Sequence, residues 1–117
     1  MKDFNGEIQY KGKTYKLVFN LNVMEVIQES YGSLNAWGNL TDGSKHGGEP
    51  DAKAVIFGFR EMLNEGIDIS NEENGTDDKP LTLKQVGRII SEIGLKGATE
   101  TLNETVVAST QSNEKNE

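Results

Sequence analysis

At 117 residues the chain has the size of one domain, and a division in two would leave each part too small to sustain its own core. A hydrophobic share of 34% with 26% charged residues is too apolar for a disordered chain, and the absence of cysteine excludes disulfides, thiolate catalysis and cysteine-ligated zinc. The net charge of −7 is uneven: residues 1–60 carry seven Lys/Arg and seven Asp/Glu, residues 61–117 five and twelve, so no basic stripe for duplex nucleic acid is present.

The chain opens without a hydrophobic signal region, and no stretch approaches the ~20 apolar residues of a membrane span. A cytosolic protein is expected. Residues 4–19 read as a β-hairpin, with Phe4, Ile8 and Tyr10 on one face, matched by Tyr15, Leu17 and Phe19. A turn at Lys11-Gly12 sets Ile8 opposite Tyr15 and Phe4 opposite Phe19, Gly12 supplying positive φ. The lysines Lys2, Lys11, Lys13 and Lys16 suit an exposed strand edge that resists pairing with other chains.

A first helix is expected from an Asn22 cap, with Glu25 reaching back and Leu21/Val26 as a hydrophobic staple. Val23, Ile27 and Tyr31 form its buried stripe and Gly32 ends it. Ser33 offers a cap for a short turn presenting Leu34, Trp37 and Leu40. Residues 41–49 form a polar, glycine-rich loop, and Pro50 stands where a first helical residue would be. The strongest helix follows, with Ala52, Val55, Ile56, Phe59, Met62 and Leu63 at helical spacing. Gly66 is expected to end it, with Ile67 folding back on Met62.

An acidic connection over 68–80 precedes Thr82, whose partner Gln85 and flanking Leu81/Val86 predict a capping box and staple. The helix from there carries Leu83, Val86, Ile89, Ile90 and Ile93 inward to Gly94. A last helix keeps Leu95, Ala98, Leu102 and Val106 in register. The polar residues after it predict a disordered tail over 109–117 beyond a single domain of 1–108. The fold expected is α+β, an N-terminal hairpin packed on a small bundle of about four helices, with Val55, Ile56, Phe59, Met62, Ile89, Ile90 and Ile93 buried.

Chemistry finds little support. The single histidine, His46, lies in the glycine-rich loop without cysteine or a second histidine, and no helix brings Asp42 or Glu49 toward it. A hydrolase would have to use this same imidazole as its base. The acidic run from Asp68 to Asp78 is rich in oxygen ligands but in no frame meets the spacing of a calcium-binding EF-hand. Gly43, Gly47 and Gly48 fit neither phosphate-binding glycine pattern. No catalytic, cofactor-binding or metal-binding residue is therefore assigned. Tyr31, Leu34 and Trp37 are the candidate partner-binding residues: a lone tryptophan fits a core, yet aromatic anchors are also what binding surfaces favour.

Three runs, residues 10–38 (YKGKTYKLVFNLNVMEVIQESYGSLNAWG), 49–66 (EPDAKAVIFGFREMLNEG) and 83–92 (LKQVGRIISE), occur in an order that resembles the tail assembly chaperones of long-tailed bacteriophages and prophages of Gram-positive bacteria. With the helix after them, the resemblance covers most of residues 7–108. It implies a non-enzymatic protein that coats the long, helical tape measure protein before tail polymerisation, keeps it soluble and helps recruit tail tube subunits. It also implies residence in the bacterial cytoplasm and absence from the finished virion; many family members are made in a longer frameshifted form as well. No nucleic acid, membrane or cofactor enters this picture, and self-association is left open. An acidic inhibitor or antitoxin-like module has a similar composition, and a neighbouring gene for a basic toxin would favour it over a gene for a long helical protein.

Overall fold

The computed structural model describes residues 5–44 and 47–115. Two strands, β1 (Asn5–Tyr10) and β2 (Lys13–Val18), are followed by α1 (Leu21–Tyr31), α2 (Leu34–Thr41), α3 (Ala52–Asn74), α4 (Leu83–Ile93) and α5 (Leu95–Lys115). The class is α+β, a hairpin on a helical bundle. There are five helices among the described residues, the expected short turn at Ser33 being a regular helix of 8 residues. No described helix is long and apolar enough to cross a membrane.

The hairpin register sets Ile8 opposite Tyr15, as the alternation requires. Both turn residues take positive φ, 51° at Lys11 and 76° at Gly12, the mirror-image geometry that matches the twist of the strands. Ile8, Leu17 and Phe19 are buried and Glu7, Gln9, Thr14 and Lys16 are exposed, so one face enters the core. The Phe4–Phe19 pairing and His46 lie outside the described residues.

Four boundaries differ from the local reading. The cap of α1 is Asn20, two residues before Asn22: its Oδ1 accepts from the Val23 amide at 3.2 Å. Its Nδ2 also donates to Glu65 of α3 at 2.7 Å, and the nearby Asn22 side chain donates to the same carboxylate at 3.1 Å. This tie between elements favours the earlier start, and it leaves Leu21 74% exposed, no staple. Before α3, Pro50 lies outside the helix because Asp51 is the cap; the Asp51 amide donates to the Leu40 carbonyl at 2.8 Å, away from any helical ladder.

The third difference is the length of α3. It continues through Gly66 to Asn74 and stops at Gly75, whose left-handed φ of 65° closes it. Gly66 has a packing role instead: a Cβ there would stand 2.6 Å from the Lys16 carbonyl oxygen, so α3 can pass this close to β2 only at a glycine. Much of the expected acidic connection is thus helical. What remains is held by two asparagines one heptad apart on α3, Asn64 exchanging two hydrogen bonds with the Leu81 backbone and Asn71 two with the Asp78 backbone.

The fourth concerns the chain end, where the sequence predicts disorder over 109–117 and α5 remains helical to Lys115. Once nucleated a helix extends at small cost per residue, and after Gly97 the sequence has neither glycine nor proline to stop it. The Thr82–Gln85 capping box of α4 is present in both directions.

The core gathers Leu17, Phe19, Val23, Ile27, Trp37, Ala54, Val55, Phe59, Met62, Leu63, Val86, Ile89, Ile90, Ala98 and Leu102, with α3 at its centre. Ile56 and Ile93 are only half-buried, and Leu83, expected inward, is 49% exposed at the first position of α4. Leu83 lies on the same face as Val86 and Ile90, three and seven residues on, so its exposure comes from its place in the first turn, at the end of the stripe, and not from its angle around the helix.

Candidate partner-binding site

Ser33 starts α2 by accepting from the Ala36 amide at 3.0 Å, and the eight residues that follow turn Trp37 inward. The indole is 3% exposed, and its Nε1 donates to the Ala54 carbonyl at 3.0 Å. It lies against Gly58: a Cβ on that glycine would collide with indole Cζ2. Trp37 is therefore a core residue whose slot is cut by a glycine on the facing helix. Along the chain, Gly58 stands out only as a small residue within the apolar arc of α3. Its signal is the absence of a side chain, which has meaning only once the partner across the interface is known.

Tyr31 and Leu34 are half-buried. The Tyr31 ring meets Phe57 of α3 edge to face, centroids 5.3 Å apart at 73°, a favoured arrangement of ring quadrupoles. Burial first, and the Asp51 carboxylate second, raise the Tyr31 hydroxyl above the ordinary tyrosine pKa, since both disfavour a phenolate. Leu34 and Trp37 share a different environment. With Gly38 and Thr41 they form one wall of an open groove of about 390 Å³, whose other wall is Leu102, Asn103 and Val106 of α5. The structure thus joins two of the three candidate residues in one groove and places Tyr31 outside it. The α5 wall could not be found from the sequence, because nothing local ties residues 102–106 to α2.

The groove has an apolar floor and a rim of amides, Asn35, Asn39 and Asn103, with Asp42 as its charged group. Such a surface can bind apolar side chains and hydrogen-bond to peptide or side-chain groups at its margin; it holds no converging acid, base and nucleophile. A second groove of about 560 Å³ runs between β2 and the C-terminal half of α3, its lining mixed in charge: Lys13 and Lys16 on the strand, Glu73 and Asp78 opposite. Among the described residues no three His, Cys, Asp or Glu side chains gather as a metal site would require. The acidic run that invited a calcium reading is divided between α3 and the connection after it. No protein-family model, no curated protein and no solved structure matches this chain.

Proposed function

We propose that this chain is a non-enzymatic tail assembly chaperone of a long-tailed phage, which binds a helical segment of the tape measure protein, keeps it soluble and helps bring tail tube subunits to it. The observation that carries this reading is the ordered resemblance of residues 10–38, 49–66 and 83–92 to that family. The groove between α2 and α5 supports it. An amphipathic client helix presents apolar side chains in rows three and four residues apart, and an apolar floor with amide margins can take such a row without demanding one charge pattern. The acidic second half of the chain adds salt-sensitive attraction to basic client residues, which speeds encounter more than it deepens affinity.

Co-expression with the tape measure protein of the same phage tests this. The client is expected to stay soluble and to co-elute with the chaperone at low salt, with no hydrolase or transferase activity in the complex. A client that remains insoluble at stoichiometric co-expression, with no complex eluting, overturns the assignment. Co-purification with a small basic protein instead would favour the antitoxin-like reading. Because Trp37 is buried, Leu34→Asp is the variant that probes the groove: it should weaken the complex with only a modest loss of folding stability.

A further inference from the structure

The two ends of α5 are held by different chemistry. Near its start Ala98 and Leu102 are buried in the apolar core, but the inward positions one and two turns later are Thr105, fully buried, and Ser109, 1% exposed. Thr101 and Thr105 turn their hydroxyls back to their own helix, donating to the Gly97 and Thr101 carbonyls at 3.0 and 2.8 Å. Ser109 Oγ is buried with no hydrogen-bond partner among the described residues. A buried hydroxyl without a partner makes docking of this stretch less favourable than an apolar side chain of the same shape would. The same stretch meets the hairpin where β1 has no side chain, at Gly6, beside Thr101 and Thr105. Leu102 and Val106 meanwhile form the α5 wall of the groove.

We infer that the part of α5 from residue 102 to 109 is a releasable arm, and that a client helix binds by taking its place between α2 and β1. This rests on the chaperone reading for the identity of the client. The occupant is a helix because it replaces one, and its pattern follows from what α5 leaves behind. Two branched apolar residues four apart face Leu34 and Trp37, in the positions of Leu102 and Val106, with small residues facing Gly6. Autoinhibition of this kind keeps the apolar surface beneath α5 covered, with the open groove as its exposed margin, until a client competes for it; the docked arm lowers the apparent affinity in proportion to the fraction of molecules that are open.

The chain has no cysteine, so a reversible staple can be introduced cleanly. A Cβ at position 6 would stand 2.8 Å from Thr105 Oγ1, which brings Gly6→Cys and Thr105→Cys within bridging distance. Native-state amide exchange of the wild-type chain should show residues 102–109 opening at least ~100-fold more often than residues 55–63 of α3, and the oxidised staple should remove that difference. Binding to the co-expressed tape measure protein should fall about tenfold or more on oxidation, recover with reductant, and be insensitive to reductant in the wild type. Ser109→Ala gives a second test in an unstapled chain: it should raise the thermal midpoint and at the same time weaken client binding. Equal exchange in the two segments, or undiminished client binding by the fully oxidised staple, overturns the arm. If the wild type binds no tape measure protein while the exchange difference stands, the chaperone reading fails and the arm does not.

Discussion

The first half of α3 and the stretch of α5 from Thr105 to Ser109 are both helical and both turn enclosed side chains inward, yet different forces hold them. Along α3, Val55, Phe59, Met62 and Leu63 are buried, and Gly58 and Gly66 let an indole and a strand carbonyl approach the helix itself. Shape complementarity dominates there, with dispersion and hydrophobic burial summed over many atoms. Along α5 the enclosed positions become Thr105 and Ser109, whose hydroxyls are satisfied within their own helix or, at Ser109, by no described partner. Burial alone is thus a poor guide to adhesion: what matters is whether an enclosed group gains a better partner than the water it left.

The severest test of this contrast is at Phe59. Replacing it with alanine should cost ~3–5 kcal/mol in denaturant melts, since the ring is fully enclosed in the centre of the core. A loss below about 1 kcal/mol would mean that α3 is no more tightly held than α5.

Next come the two glycines. Alanine usually favours a helix over glycine by about 1 kcal/mol, yet Gly58→Ala and Gly66→Ala should each destabilise by roughly 1–3 kcal/mol, because the new methyl meets a hydrogen-bonded indole in one case and a backbone carbonyl in the other. Gly58→Ala should also shift the tryptophan fluorescence, whereas Gly66→Ala should leave it nearly unchanged. A stabilising effect at either position would remove the close approach from the account of α3.

The start of α1 gives a smaller contrast. Asn20→Ala should cost about 0.5–2 kcal/mol, since it removes the cap and a bond to Glu65, and Asn22→Ala should cost less, since only the weaker bond to Glu65 goes. Reversed magnitudes in thermal melts would return the cap to Asn22.

The titration of Tyr31 is the most subtle of these effects. Its raised folded pKa means that the native state holds the phenolic proton more firmly than the unfolded state does, so stability is unaffected at neutral pH and declines as pH rises past about 10. Asp51→Asn, which keeps a competent cap for α3, should lower the Tyr31 midpoint seen by ultraviolet absorbance without bringing it fully to the ordinary value, because burial is the larger cause. No change on this substitution would remove the Asp51 contribution.

Features settled within a few residues were legible from the chain alone. The Lys11-Gly12 turn and its register, the Ser33 and Thr82 caps, the Gln85 capping box and the inward stripes of α3 and α4 all depend on spacing and on short-range hydrogen bonds. Residues distant in sequence decided the rest. Glu65 selects Asn20 over Asn22 as the start of α1, 45 residues away. Lys16 gives Gly66 a packing role where local chemistry reads a stop, and Gly58 takes Trp37 into the core. The groove itself exists only because α5 returns beside α2. A glycine can end a helix or admit a neighbour, and an asparagine can cap a helix or point elsewhere; their intrinsic preferences differ by about 1 kcal/mol or less, so a single tertiary contact is enough to choose between the outcomes.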